Sequence, residues 1–286
     1  MNAERITLLP PAHVIRDAVR RALDEDLGYG DLTTEATVPE GVEVSGRIIA
    51  RASGVVAGLP VDAAVFAELD ASVRFEPVVE DGAAVEPGQV IAALRGPARA
   101  ILSGERVALN FLQQLSGVAT ATRSIVEQIE GTRAVLLDTR KTVPGLRALQ
   151  RYAVRVGGGS NHRFNLFDGV LIKENHILAA GGIAAALARA RAAVGPFTLV
   201  EIEVERLDQL EEAIAHGADM VLLDNMTPDQ MREAVALAAG RVKLEASGDI
   251  TVERARSVAE TGVDYLSSGA LTHSAPALNL SLRLDG

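Results

Sequence analysis

Residues 140–173 carry seven basic side chains, Arg140, Lys141, Arg147, Arg151, Arg155, Arg163 and Lys173, against one acid, Asp168. The whole chain of 286 residues has a formal net charge of −10. A basic island in an acidic chain reads as a focused pocket for a small anion, and the overall charge disfavours nonspecific binding to nucleic acid. Arginine forks take carboxylates and phosphates two bonds at a time, while lysines add movable point charges. Arg147, Arg151 and Arg155 are spaced i, i+4, i+8, and their plain reading is a solvated basic helix face. Arg140, Lys141, Arg163 and Lys173 fall in or beside expected strand ends.

Acids close other apolar runs: Glu201 and Glu203 in EIEVE, Asp224 in LLDN, Glu245 in LEASG. Charges of both signs gathered at one mouth lose hydration and must be paired or bound to a ligand, so a salt-bridge network is the alternative to a ligand pocket. EASGD and SSGAL favour the ligand. They offer small residues and backbone N–H groups, at Ser247, Gly248 and Asp249 and at Ser268, Gly269 and Ala270, where many barrels grip a phosphate. In GGGSNHR the glycines permit an irregular loop, after which come His162, read as a positioning residue, and Arg163. With Arg140 nearby, two forks match a ligand bearing two carboxylates, or a carboxylate and a phosphate.

The elements that must carry these residues follow a βα alternation beyond Gly131. Six strands are expected: AVLLD ending at Asp138, GVLI at Ile172, FTLVEIEV from Phe197, MVLL ending at Leu223, VKLEA from Val242 and DYLSSG from Asp264. Continuous apolar runs suit strands covered on both faces, each followed by polar residues at its carboxyl end, where barrel sites lie. The fold class is therefore α/β, an incomplete TIM-like barrel at 117–272. Before it, an α+β, sandwich-like domain is expected at 1–116, joined by the tail 273–286. It should contain a helix at 13–27, a strand at 42–51, a helix at 60–69, and strands at 73–79 and 90–94 joined by turns, with a helix at 98–115 to close it.

The chain has no cysteine, which excludes disulfides, thiolate metal sites and a catalytic thiol, and suits a reducing cytoplasm. The amino-terminal MNAERITLLPPAHVIRDAVRR lacks the apolar stretch of a signal peptide, and no segment reaches the roughly 20 apolar residues of a membrane span. The hairpin pattern of the first domain resembles small carrier modules, but its turn, EDGAAVEPGQ, has no lysine to acylate.

EDLGYGDLTT, SGERVALNFLQQLSG, DTRKTVPGLRALQRYAVRVGGGSNHR, LIKENH, EIEVE, LLDN, LEASG and DYLSSGALTHS occur in an order and spacing that closely resemble the quinolinate phosphoribosyltransferases, nearly end to end. The resemblance implies transfer of phosphoribose from phosphoribosyl pyrophosphate to the nitrogen of quinolinate with loss of carbon dioxide, giving nicotinate mononucleotide in NAD biosynthesis. It implies that Arg140, His162 and Arg163 bind the quinolinate carboxylates with Thr139 nearby, and that Lys141 and Lys173 face sugar and pyrophosphate. Glu203 and Asp224 match acids near the ribose hydroxyls and Mg²⁺, which they reach directly or through water. Ser247, Gly248, Asp249, Ser268, Gly269 and Ala270 match the phosphate cradle. A homodimer is implied, with Arg106 entering the neighbouring site. EASGD, where a second serine or glycine is frequent, and Ser267 and Ser268 before Gly269 depart from the pattern. A related barrel with another nitrogen acceptor, or an aldolase using Lys173 as a Schiff base, are the competing readings.

Overall fold

In the computed structural model, residues 9–285 are described; the first eight residues of the stretch read above for a signal peptide lie outside them. Two compact units divide the chain. One holds residues up to Arg123, Thr142–Gly158 and the chain from Leu271; the other holds Ser124–Lys141 and Gly159–Ala270.

The first unit is built on β1 (Glu43–Ala50), whose Ile48 and Ala50 are buried while Ser45 and Arg47 are exposed, the period-2 pattern of a half-buried strand. It runs antiparallel between β5 (Val90–Pro97) and β12 (Leu280–Leu284), with β3 (Arg74–Pro77) on the far edge of β5. Ile48 pairs with Leu282, so the carboxyl-terminal tail completes this sheet. Helix α1 (Ala12–Leu27) buries Ile15, Ala18, Val19 and Leu23, a 3.6-period stripe. Helix α2 (Leu32–Thr37) is capped by Asp31, which accepts the Thr34 N–H at 3.0 Å. Beyond it come β2 (Gly54–Val55) and α3 (Leu59–Leu69). β2 pairs with β4 (Ala84–Val85), which lies inside the stretch expected to hold only turns.

Two expectations fail here. Helix α4 (Ala98–Gln128) continues past residue 115. Helix α5 (Arg147–Val156) is no solvated face: Leu149, Tyr152, Ala153 and Val154 are buried, and Arg151 is 7% exposed. A helix covered nearly all round leaves no face for a purely solvated arginine row.

In the second unit, six strands among the described residues form one parallel sheet in the order β6-β11-β10-β9-β8-β7. They are β6 (Val135–Leu137), β7 (Val170–Ile172), β8 (Val200–Val204), β9 (Met220–Asp224), β10 (Lys243–Ser247) and β11 (Tyr265–Ser267). All six expected runs are strands. The connecting helices are α6 (Glu174–Ala180), α7 (Ile183–Ala193), α8 (Leu207–Ala215), α9 (Pro228–Ala238) and α10 (Val252–Ala259), with α11 (Ala270–His273) after β11. This is the α/β arrangement of an incomplete barrel. Ser160 adds a parallel bridge to Leu137, donating its N–H to Leu136 O at 2.8 Å and accepting the Asp138 N–H at 3.1 Å. The segment after the glycines thus extends the sheet beside β6. Among the described residues no helix is long and apolar enough to cross a membrane.

Candidate active site

Alternation along the barrel strands decides which side chains enter its interior. On β8, Glu201 and Glu203 share one face and Ile202 takes the other; on β10, Glu245 and Ser247 share a face opposite Leu244 and Ala246. In register, Glu203 stands beside Leu222 and Leu222 beside Glu245, while Ser247 stands beside Asp224. The acids and the serine of three adjacent strands are therefore delivered to one side of the sheet.

His162 is the centre of the most buried cluster. It leaves the Ser160 bridge with its backbone N–H donated to Asp138 Oδ1 at 2.8 Å, and the other oxygen of Asp138 accepts Asn161 Nδ2 at 2.6 Å. Its ring Nε2 lies 2.9 Å from Glu201 Oε2 and 3.2 Å from Glu245 Oε2. Both glutamates are 1% exposed. Burial alone would lower the His162 pKa, but hydrogen bonds and charge from Glu201 and Glu245 outweigh it and raise it to about 10. Burial lifts Glu201 above the usual carboxylate range despite its bond to His162, and neighbouring Glu245 lifts it further. A cationic ring beside Glu201 and Glu245 is the state this geometry favours. These three side chains also have the donor types of a divalent metal site.

Arg163 follows, donating from Nη1 to Gly169 O at 2.8 Å. Burial lowers its pKa, and the charge of nearby Arg140 adds to that. The two forks thus sense one another as expected from GGGSNHR and DTRK, and an anion between them relieves the repulsion. Thr139 Oγ1 accepts the Lys141 N–H at 3.0 Å, which shapes the turn that presents Lys141 to solvent.

A second cluster joins β7, β8 and β9. Lys173, which opens α6, pairs with Glu203 at 2.7 Å. Burial raises the Asp224 pKa, Glu203 and Glu205 raise it further, and Lys173 opposes them. Lys173, Glu203 and Asp224 therefore act on one another electrostatically.

The loops after β10 and β11 also meet. Gly248 and Asp249 have φ of 106° and 47°, the left-handed region, and a Cβ at Gly248 would collide with the Asn225 side chain. Thr251 caps α10 by accepting the Arg254 N–H. Ser268 donates its hydroxyl to Ile250 O at 3.1 Å and its N–H to Leu137 O at 3.1 Å, tying both loops to β6. Gly269 follows directly, and Ala270 starts α11. Arg106 is exposed on α4, in the first unit.

Sequence reasoning named Asp138, Glu201 and Glu245 as strand-end residues without assigning them to His162. EIEVE carried a signal, since acids two apart on a strand face the same way; the partner within reach is set by the long loop that returns to β6.

Residues 31–116 match the family described as quinolinate phosphoribosyl transferase, N-terminal domain, and residues 118–283 match its C-terminal domain. A carboxylating nicotinate-nucleotide pyrophosphorylase of Mycobacterium leprae is 46% identical over 275 residues, covering 94% of this chain and 96% of the relative. A decarboxylating quinolinate phosphoribosyltransferase of Nicotiana tabacum is 39% identical over 304 residues, with 99% and 86% covered. The solved nicotinate-nucleotide pyrophosphorylase of Francisella tularensis superposes with a TM-score of 0.93 at 41% identity, covering 99% of this chain and 100% of the other. With both domains matched in order and the strand-end residues assembled around them, the chain belongs to the quinolinate phosphoribosyltransferase family.

Proposed function

We infer that this chain transfers phosphoribose from phosphoribosyl pyrophosphate to quinolinate and decarboxylates the product to nicotinate mononucleotide. The observation that carries the reading is the division of the barrel mouth: Arg140, His162 and Arg163 on the β6 side, Lys173, Glu203 and Asp224 on β7 to β9, and small-residue loops after β10 and β11. An aromatic dicarboxylate needs the first group, a ribose cation and its departing pyrophosphate the second, and the 5-phosphate the third.

The bond from C1′ to pyrophosphate breaks with its electron pair leaving on the pyrophosphate, and the pyridine nitrogen forms the new bond to C1′. Glu203 and Asp224 stabilise the positive charge developing at C1′, and Lys141 and Lys173 face the leaving group. Once the nitrogen is cationic, the carbon–carbon bond to the adjacent carboxylate breaks, carbon dioxide departs, and the ring carbon takes a proton from solvent. The arginines and His162 hold the acceptor in line, so much of the rate comes from positioning. Glu203 and Asp224 would hold Mg²⁺, directly or through water, and the metal would supply positive charge to offset that of the departing pyrophosphate. Ser247, Gly248, Asp249, Ser268, Gly269 and Ala270 cradle the 5-phosphate, and Thr139 supports the acceptor side. Two copies pair, each lending Arg106 to the other's site, in the cytoplasm that a chain without cysteine suits.

The test is release of labelled carbon dioxide from carboxyl-labelled quinolinate, with Mg²⁺, with and without phosphoribosyl pyrophosphate. Release that depends on the donor and yields nicotinate mononucleotide is expected; none from folded protein moves the search to other nitrogen acceptors.

A further inference from the structure

Three buried carboxylates converge on one residue of the loop that follows the three glycines. Asp138, Glu201 and Glu245 are each at most 1% exposed. Asp138 Oδ1 takes the His162 backbone N–H at 2.8 Å, while the ring Nε2 lies 2.9 Å from Glu201 Oε2 and 3.2 Å from Glu245 Oε2. The three acids come from the end of β6 and from β8 and β10, alternate positions in the strand order. Side chains of one barrel layer come from alternate strands in just this way.

A stable barrel does not require such a layer. Apolar side chains of similar volume often match or exceed the stability of buried ionic groups, because a buried carboxylate gives up its hydration. The gain from keeping acids here is control over the ring. A histidine in an irregular loop has several staggered side-chain positions open to it. One bond at its backbone and, at Nε2, a hydrogen bond to Glu201 and a charge contact with Glu245, from alternate strands, select a single one.

We propose that Glu201 and Glu245 are positioning residues for acceptor recognition: from β8 and β10 they orient the His162 imidazole, seated by Asp138, toward one carboxylate of the acceptor. The assignment rests on the reading of the acceptor as an aromatic dicarboxylate. The glutamates act through the ring, so their effect exists only while the ring is there.

That dependence supplies the test. Glu245→Met keeps volume and removes the carboxylate beside Nε2; it raises the KM for quinolinate by about tenfold and leaves the KM for phosphoribosyl pyrophosphate within about twofold. Glu245→Gln, which restores a carbonyl oxygen beside Nε2, recovers most of that loss, and the Glu201 pair of variants behaves alike. In a His162→Ala background, Glu245→Met changes the quinolinate KM by less than about twofold, the signature of coupling in a double-mutant cycle. Equal fold-changes in both backgrounds, or parallel losses for both substrates, overturn the proposal. A second measurement needs no turnover: the imidazole Nε2–H proton resonance of ligand-free protein, identified by its loss in His162→Ala, should be protected from water exchange and lose that protection in Glu201→Met and Glu245→Met. Unchanged protection overturns the proposal. Wild-type protein that shows the protected resonance but no donor-dependent carbon dioxide release instead marks failure of the quinolinate reading.

Discussion

Lys173 Nζ lies 2.7 Å from Glu203 Oε2, a pair drawn from β-strand ends thirty residues apart, with the lysine side chain 51% exposed and the glutamate 15%. A half-exposed pair of this kind contributes only about 0–1 kcal/mol to stability. Its position beside Asp224 points to chemistry. Lys173→Met should lower kcat/KM for phosphoribosyl pyrophosphate by about a hundredfold, ~3 kcal/mol of transition-state stabilisation. Its thermal midpoint should stay within about 2 °C of the wild type. Steady-state kinetics beside a melting curve separate the two effects, and a large fall in melting temperature with little kinetic loss would make the pair structural.

Arg163 donates to Gly169 O and repels Arg140, so its fork is held in place beside a second cation, where an acceptor carboxylate would offset the repulsion. Arg163→Ala should raise the quinolinate KM by about thirtyfold, ~2 kcal/mol, the scale of a charge-assisted hydrogen bond. Phosphoribosyl pyrophosphate binding, measured by calorimetry without acceptor, should be nearly unchanged. Equal weakening of both ligands would contradict the division of the mouth into acceptor and donor sides.

The barrel strands were legible because runs such as MVLL and VKLEA are short, apolar and closed by charge, a pattern that needs no partner to be read. The loops after β10 and β11 were visible for a similar reason, as small residues directly after strands. What was not legible depends on contacts far apart in sequence. The helix expected to end at residue 115 runs on as α4 through Gly117, which stands there because a Cβ would strike the carbonyl of Pro276 in the carboxyl-terminal tail. Arg151 reads as solvated, yet it is buried with Leu149, Tyr152, Ala153 and Val154 of α5. The roles of Glu201 and Glu245 required the return of Ser160 to β6, which sets His162 between strands that are not its neighbours in sequence.

Asp62, in the first turn of α3, is fully buried, and neither of its carboxyl oxygens has a hydrogen-bond partner among the described residues. Burial pushes its pKa well above the usual range, and the charge of Asp81 adds to the shift. Asp81 itself accepts the N–H groups of Gly58 and Leu59 and the Tyr152 hydroxyl, at 2.9, 3.1 and 2.6 Å. The folded chain therefore holds a proton that the unfolded chain releases above about pH 4. The contribution to stability is whole below that pH and declines as pH rises toward the raised folded value. Asp62→Asn has no such proton to lose, so its stability relative to wild type should improve steadily as pH rises from about 5 to about 7. Urea unfolding at the two pH values measures this, and a pH-independent difference would show that Asp62 does not titrate abnormally.

Arg106 sits exposed on α4 while Lys173 opens α6 in the barrel. If each site of a dimer takes its arginine from the other copy, Arg106→Ala and Lys173→Met damage different halves of a composite site. Each variant alone should be nearly inactive. In a heterodimer one site then carries both changes and the other carries neither, by the two-fold symmetry of a closed pair. Random exchange makes about half of all dimers mixed, with one intact site in each, so activity should recover to roughly a quarter of the wild-type value. Mixing the purified variants, allowing subunits to exchange, and following donor-dependent carbon dioxide release reads the recovery directly. Mixed dimers, verified by differential tags, that stay inactive would place Arg106 in the site of its own chain or outside any site.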